Sequence, residues 1–247
     1  MFQPQHLIAE LTSRCNLRCK YCQKADDNWN AIPGRDQDID DGVLQRLFES
    51  LGERPFQTIQ LSGIGEFTFR KDWVPTLERF HSIGLNVTLI CNFAKQFTDE
   101  ELDALLKTKN LMISVDTTDA DMLKSVRKSV SFSTITTNLL RLRMRARETG
   151  VAKPYLRLNA VLYKENMLGI EKLAHFAIEN HVDEMQYERM YPANDFGVPT
   201  EISEATPEEA REALRQMDVV APLLHENGIH PSFHGDLRQL LEERAAS

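Results

Sequence analysis

An alternation along the chain constrains the fold most. Six short runs rich in Ile, Val, Leu and Thr occupy residues 6–12, 57–62, 86–91, 110–116, 155–162 and 184–190. Longer stretches of helical periodicity lie between them. Residues 41–51 carry Val43, Leu44, Leu47, Phe48 and Leu51 on one face, and residues 73–83 stop at Gly84. Thr98 and Glu101 form a capping box that opens residues 100–107. Residues 133–149 end at Gly150, a left-handed C-cap, and residues 167–180 place Ile170, Leu173, Ala174 and Ala177 on one face. Six βα units in series imply a parallel sheet with crossover helices. The strands are mostly apolar rather than alternating, as expected when helices cover both faces. Reactive residues then belong at the C-terminal strand ends, in an open sheet or in a barrel.

The end of the chain reads differently. Residues 192–206 hold Pro192, Gly197 and Pro199 and read as a loop. A Thr206 cap opens a helix over 207–227, residues 229–234 read as a short extra strand, and 237–244 form a last helix. No linker separates a second domain. Residues 1–191 therefore form the βα body, with 192–247 a loop and helical extension packed on it. Residues 140–147 alternate Arg with apolar side chains, a solvated helix face with buried stems.

The formal net charge is −8, from 29 Lys plus Arg against 37 Asp plus Glu. That balance argues against a nucleic-acid polymer as partner. No apolar run reaches the ~20 residues of a membrane span, and residues 1–6 show no basic region leading into an apolar one. The reading is a cytoplasmic chain, where four cysteines point to metal or redox chemistry rather than to a disulfide framework.

Three of those cysteines follow the first strand as Cys15-Asn16-Leu17-Arg18-Cys19-Lys20-Tyr21-Cys22, spaced C-x3-C-x2-C. Three thiolates on one loop can converge on an inorganic centre and leave one metal position open for chemistry. Positions i, i+4 and i+7 also share one helix face, so three core cysteines are an alternative. A zinc site is another, with a histidine such as His6 as fourth ligand. Against the core reading, Asn, Arg and Lys separate the cysteines.

This loop resembles the cluster loop of the radical S-adenosylmethionine (SAM) superfamily. The resemblance implies that Cys15, Cys19 and Cys22 hold a [4Fe–4S] cluster whose fourth iron is chelated by SAM. It implies reductive cleavage of SAM to a 5′-deoxyadenosyl radical, and a partial (β/α)6 barrel. Leu61-Ser62-Gly63-Ile64-Gly65-Glu66-Phe67 resembles the family's Gly-Gly-Glu-Pro segment, with Phe67 in place of proline. It implies that Gly63, Gly65 and Glu66 meet the SAM amino group. Cys91-Asn92 resembles the Thr-Asn-Gly that ends the third strand, and Ser114-Val115-Asp116 the Ser-Leu-Asp that ends the fourth. Asn92 is then a SAM contact, Ser114 the contact to the SAM ribose, Arg127 to its carboxylate, Asn159 to SAM or substrate, and Tyr21 to adenine. The resemblance spans roughly residues 6–191.

The implied substrate is a small organic molecule from natural-product or cofactor biosynthesis, with epimerisation or rearrangement as reaction types. The implied electron donor is a flavodoxin or ferredoxin. Asp116, Asn159, Glu188, Tyr191, Asn194, Asp195 and His234 are candidate substrate contacts at strand ends and loops, and Asp116 is a candidate catalytic residue. Cys91 is a candidate hydrogen-atom donor through its weak S–H bond, with a core cysteine as the alternative. No cysteine follows Cys91, so thiolate-held auxiliary clusters, and peptide modification that depends on them, are not expected. A glycyl-radical activase, a peptide-modifying radical SAM enzyme and a non-catalytic metal-binding sensor or scaffold are the competing readings.

Overall fold

A computed structural model describes residues 6–53, 56–128, 130–191 and 199–247. The strands are β1 (His6–Ala9), β2 (Thr58–Leu61), β3 (Asn86–Cys91), β4 (Asn110–Ser114), β5 (Tyr155–Leu162), β6 (Glu184–Arg189) and β7 (His230–Phe233). Their order in the sheet is that of the sequence, β1 to β7. The helices are α1 (Asp27–Asn30), α2 (Asp41–Glu53), α3 (Trp73–Ser82), α4 (Asp99–Leu106), α5 (Ala120–Arg127), α6 (Phe132–Thr149), α7 (Ile170–Glu179), α8 (Pro207–Glu226) and α9 (Leu237–Ala245). The α/β class and the βα alternation are as the sequence implies. The extra strand is real: β7 pairs in parallel with β6, Glu184 opposite His230.

The chain falls into two compact units. One holds Met1–Asn16, Asp27–Met112 and Ile135–Tyr155. Here β1 pairs in parallel with β2 from His6↔Thr58, and β2 with β3 from Thr58↔Asn86. The Phe48 and Phe80 rings meet at a tilt with centroids 4.6 Å apart, and Trp73 meets Phe67 and Phe97 edge-on. The capping box of Thr98 and Glu101 forms, and Gly84 and Gly150 take the left-handed backbone expected of them, with φ of 81° and 68°.

The other unit holds Leu17–Asp26, Ile113–Thr134 and Leu156–Ser247. In it β5 and β6 pair in parallel from Arg157↔Glu184. The Tyr187 hydroxyl donates to the Ile170 carbonyl at 3.1 Å, and its ring stacks on Phe233. A helix that the strand-and-motif reading passed over, α5, is capped by Asp119, whose carboxylate accepts from the backbone N–H groups of Asp121 and Met122.

Two expectations are corrected. The first strand ends at Ala9 rather than residue 12, because residues 11–13 pair instead with 37–39. Ile39 N–H donates to Leu11 O, Ser13 N–H to Gln37 O, and Thr12 bridges to Asp38. The strands are also not sealed on both faces. On β5, Leu156, Leu158, Ala160 and Leu162 are fully buried, while Arg157, Asn159 and Val161 between them are only half-buried. β4 alternates likewise, with Leu111 and Ile113 buried and Ser114 half-buried. One strand face is packed and the other carries partly open polar groups.

Candidate cofactor site

Cys15, Cys19 and Cys22 are reduced thiols outside any disulfide, all half-buried, on the loop that follows residues 11–14. A short turn closes the loop's end, with Cys22 N–H donating to Cys19 O and Ala25 N–H to Cys22 O, both at 2.9 Å. Among the described residues no three His, Cys, Asp or Glu side chains converge on a single-ion site. A multinuclear cluster does not need that convergence, since each sulfur binds its own iron. A donor set of three reduced thiols on one loop fits such a cluster.

The segment from Gly63 to Glu66 packs against the chain entering that loop. Glu66 N–H donates to Arg14 O at 2.8 Å. Ile64 N–H and Gly65 N–H both donate to one oxygen of Glu10, at 2.6 and 3.2 Å. A Cβ on Gly65 would lie 2.0 Å from the Thr12 carbonyl oxygen and 2.8 Å from that of Arg14. Position 65 thus needs glycine because two backbones touch there. A Cβ on Gly63 would lie 2.5 Å from Cγ, Cδ and Oε1 of Glu10, a side chain rather than a backbone.

The Glu66 carboxylate is buried and already engaged. One oxygen accepts from Thr68 N–H at 3.1 Å and Thr68 O–H at 2.8 Å; the other accepts from Asn92 N–H at 2.7 Å. Burial raises its pKa against these hydrogen bonds. It ties the end of β2 to the end of β3. Asn92 then reaches the cysteine loop: its side-chain N–H2 lies 2.8 Å from Asn16 Oδ1 and 3.8 Å from Cys15 Sγ. Asn16, within the cysteine motif, was not singled out by the motif reading; its short amide beside Cys15 was the available signal.

Cys91 is 1 % exposed and packs inside this unit. Its Sγ lies 3.6 Å from Thr68 Oγ1 and accepts from Phe93 N–H at 3.4 Å. Burial, then the nearby Glu66 carboxylate, raises its pKa well above the usual thiol value. The thiol keeps its proton, but its surroundings are those of a core cysteine with no open side toward a substrate.

In the second unit Asp116 is 0 % exposed and every acceptor site of its carboxylate is used. Oδ2 accepts from Tyr21 O–H at 2.7 Å and Arg127 Nε at 2.7 Å. Oδ1 accepts from Arg127 Nη2 at 2.9 Å and Val161 N–H at 3.2 Å. Two expectations change. Asp116 has no lone pair left for acid–base work. The Arg127 fork, expected on a SAM carboxylate, is taken by a protein carboxylate, and Arg127 itself is buried. Tyr21 is held by the same knot, its ring beside Val126, Tyr163 and Met190. Burial, ahead of its charged neighbours, raises the Tyr21 pKa well above the usual phenol value. Asn166, unremarked in the sequence, secures the knot by donating to Asp116 O at 2.8 Å and Val161 O at 2.9 Å. Cys19 Sγ lies 3.9 Å from Arg127 O, and Lys20 N–H donates to Val126 O at 2.8 Å, so α5 also anchors this half of the loop.

Asn159 Oδ1 is shut off from solvent and has no hydrogen-bond partner among the described residues. Glu188 is half-buried, and burial raises its pKa. Tyr191 is 61 % exposed, with its hydroxyl 3.3 Å from Asp236 Oδ1. His234 is exposed, and its N–H donates to Tyr187 O. Asn194 and Asp195 lie outside the described residues.

A sheet of βα units with a three-thiol loop after its first strand defines an α/β protein with a cysteine loop at the start of its sheet. The Radical SAM superfamily family model matches residues 9–177, more than half of the chain. The chain belongs to the radical SAM superfamily, enzymes that use a [4Fe–4S] cluster and SAM. It is 25% identical over 194 residues to a tungsten-containing aldehyde ferredoxin oxidoreductase cofactor-modifying protein of Pyrococcus furiosus, covering 76% of this chain and 52% of that protein. It is 29% identical over 178 residues to a PqqA peptide cyclase of Ruegeria pomeroyi, covering 71% of this chain and 44% of the cyclase. The chain thus spans about half the length of these relatives. Streptococcus suis SuiB bound to S-adenosylmethionine superposes with a TM-score of 0.72 at 17% identity, covering 94% of this chain and 51% of SuiB. SuiB bound to its precursor peptide SuiA gives 0.70 at 18% identity, covering 98% and 51%. These likenesses show the fold, the partial-barrel α/β type. No helix among the described residues is long and apolar enough to cross a membrane.

Proposed function

We propose that Cys15, Cys19 and Cys22 hold the cluster and that this chain cleaves SAM to begin radical chemistry on a small organic substrate. When bound, the cluster supplies the electron that splits SAM. The chain's own residues do the rest. Glu66 and Gly65 brace the backbone before Cys15, and the Asp116–Arg127–Tyr21 knot braces the loop at Cys19 and Cys22. Ser114 and Asn159, on half-open strand faces, are offered as contacts to SAM or substrate, and Asn159 brings an acceptor that lacks a partner. A low-potential protein such as a flavodoxin or ferredoxin is the proposed electron donor.

The observation that carries this reading is the loop of three half-buried reduced thiols docked by its entering backbone on Gly65 and Glu66. The test is anaerobic reconstitution with iron and sulfide, followed by EPR of the reduced cluster with and without SAM. A cluster signal that changes on adding SAM, and its absence in Cys15→Ala, Cys19→Ala and Cys22→Ala, is expected. A cluster retained in all three variants overturns the assignment.

A second reading, a peptide substrate, is favoured by the PqqA peptide cyclase relative and by the peptide-bound form of SuiB. Turnover of a peptide together with SAM, and of no small molecule, would select it.

A further inference from the structure

We infer that Asn92 sets the reduction potential of the cluster by donating an N–H to the sulfur of Cys15. The inference rests on the reading of Cys15 as a cluster ligand. Its geometry lies within one compact unit.

Asn92 is nearly buried and its amide can face only one way. Its backbone N–H is fixed on Glu66 Oε2 at 2.7 Å. Its Oδ1 accepts from Ala94 N–H at 2.9 Å, which leaves the N–H2 end pointing at the cysteine loop. That nitrogen carries two protons. One meets Asn16 Oδ1 at 2.8 Å and the other is directed at Cys15 Sγ, 3.8 Å away. In its protonated form, Cys15 donates weakly to Asn16 Oδ1 at 3.9 Å. A ligating sulfur has lost its proton and can only accept, so the Asn92 N–H becomes its natural partner. Cys19 has a different neighbour, since its Sγ faces the carbonyl of Arg127, an acceptor.

Reduction adds one electron to the cluster and its thiolates, supplied by an external low-potential reductant, with no bond made or broken. The added negative charge spreads onto the sulfurs. A donor held on one of them stabilises the reduced state more than the oxidised one and raises the potential. Asn92 is therefore a positioning residue that acts through Cys15.

The test is an EPR-monitored redox titration of the reconstituted protein with mediators, comparing wild type, Asn92→Ser and Asn92→Asp. Serine keeps an oxygen for Ala94 N–H but is too short to reach the sulfur. Aspartate keeps that contact and presents an acceptor to the sulfur. The midpoint potentials are expected to fall in the order wild type, Asn92→Ser, Asn92→Asp. At a fixed potential the reduced-to-oxidised ratio should drop about tenfold for Asn92→Asp, or about 59 mV for one electron. Equal potentials within twofold in that ratio, or the reverse order, overturn the inference. Should Asn92→Asp not load, the wild-type and Asn92→Ser pair decides it alone. A wild type that binds no cluster refutes instead the assignment of Cys15 as ligand.

Discussion

Replacing Asp116 by Ala should unfold the second unit far more readily than its distance from the cysteines in sequence would suggest. The substitution strips a guanidinium that is 4 % exposed of its carboxylate partner, and takes the acceptor from Tyr21 O–H and Val161 N–H. Removing one member of a buried pair costs about 3–5 kcal/mol, chiefly because the remaining charge stays buried. The two other lost bonds do not add in full, since they belong to one network. At a urea slope near ~2 kcal/mol per M, the midpoint should fall by about 2 M. The assay is urea unfolding of the metal-free, reduced protein by circular dichroism, with hydrogen exchange at the Val161 and Lys20 amides as a local probe. The double variant Asp116→Leu/Arg127→Leu should be less destabilised than Asp116→Ala, because it leaves no stranded charge. A loss under ~1 kcal/mol, or a double variant worse than both singles together, would refute the reasoning.

Gly65→Ala should lower iron and sulfide incorporation sharply, since its Cβ would sit 2.0 Å from the Thr12 carbonyl oxygen. Gly63→Ala should lose less than Gly65→Ala, because the Glu10 side chain rather than a backbone must move, at the cost of its bonds to Ile64 N–H and Gly65 N–H; equal losses would contradict the contact argument. In the apoprotein at neutral pH, iodoacetamide should label Cys15, Cys19 and Cys22 and spare Cys91, whose raised pKa and burial keep it a protonated thiol; mass spectrometry of labelled peptides reads this, and prompt labelling of Cys91 would contradict it. Glu66 has a pKa raised above 4.5 in the fold, so the folded state holds its proton longer than the unfolded chain does. Its contribution is fully present below pH 4.5 and declines as pH rises toward the folded value. The stability advantage of wild type over Glu66→Gln, from unfolding curves between pH 4 and 7, should shrink with rising pH; a growing advantage would show that the sign is wrong.

Much of the architecture was legible in local chemistry. The strand at residues 86–91, the cap at Thr98 and the stops at Gly84 and Gly150 follow from propensity and backbone freedom alone. The cysteine spacing pointed to the loop without help from packing. What stayed hidden depends on pairing across long sequence separations. Nothing near Arg127 says that its fork closes on Asp116 eleven positions earlier, or that Tyr21 joins it from 95 away. Gly65 read as a ligand-facing turn, but the close approach is to the Thr12 backbone, a fact of register between two loops. The half-open face of β5 escaped notice because Leu156, Leu158, Ala160 and Leu162 dominate its composition, while Arg157 and Asn159 carry the opposite face.

The central claim is that these three thiols arm a SAM-cleaving centre. Its most direct test is 5′-deoxyadenosine, measured by mass spectrometry after anaerobic reconstitution with iron and sulfide and addition of SAM and a strong reductant. Wild type should produce it, and Cys15→Ala, Cys19→Ala and Cys22→Ala should not. Production that survives loss of these cysteines, or a loaded wild type that binds SAM in its EPR signal yet never cleaves it with any reductant or candidate substrate, would contradict the account.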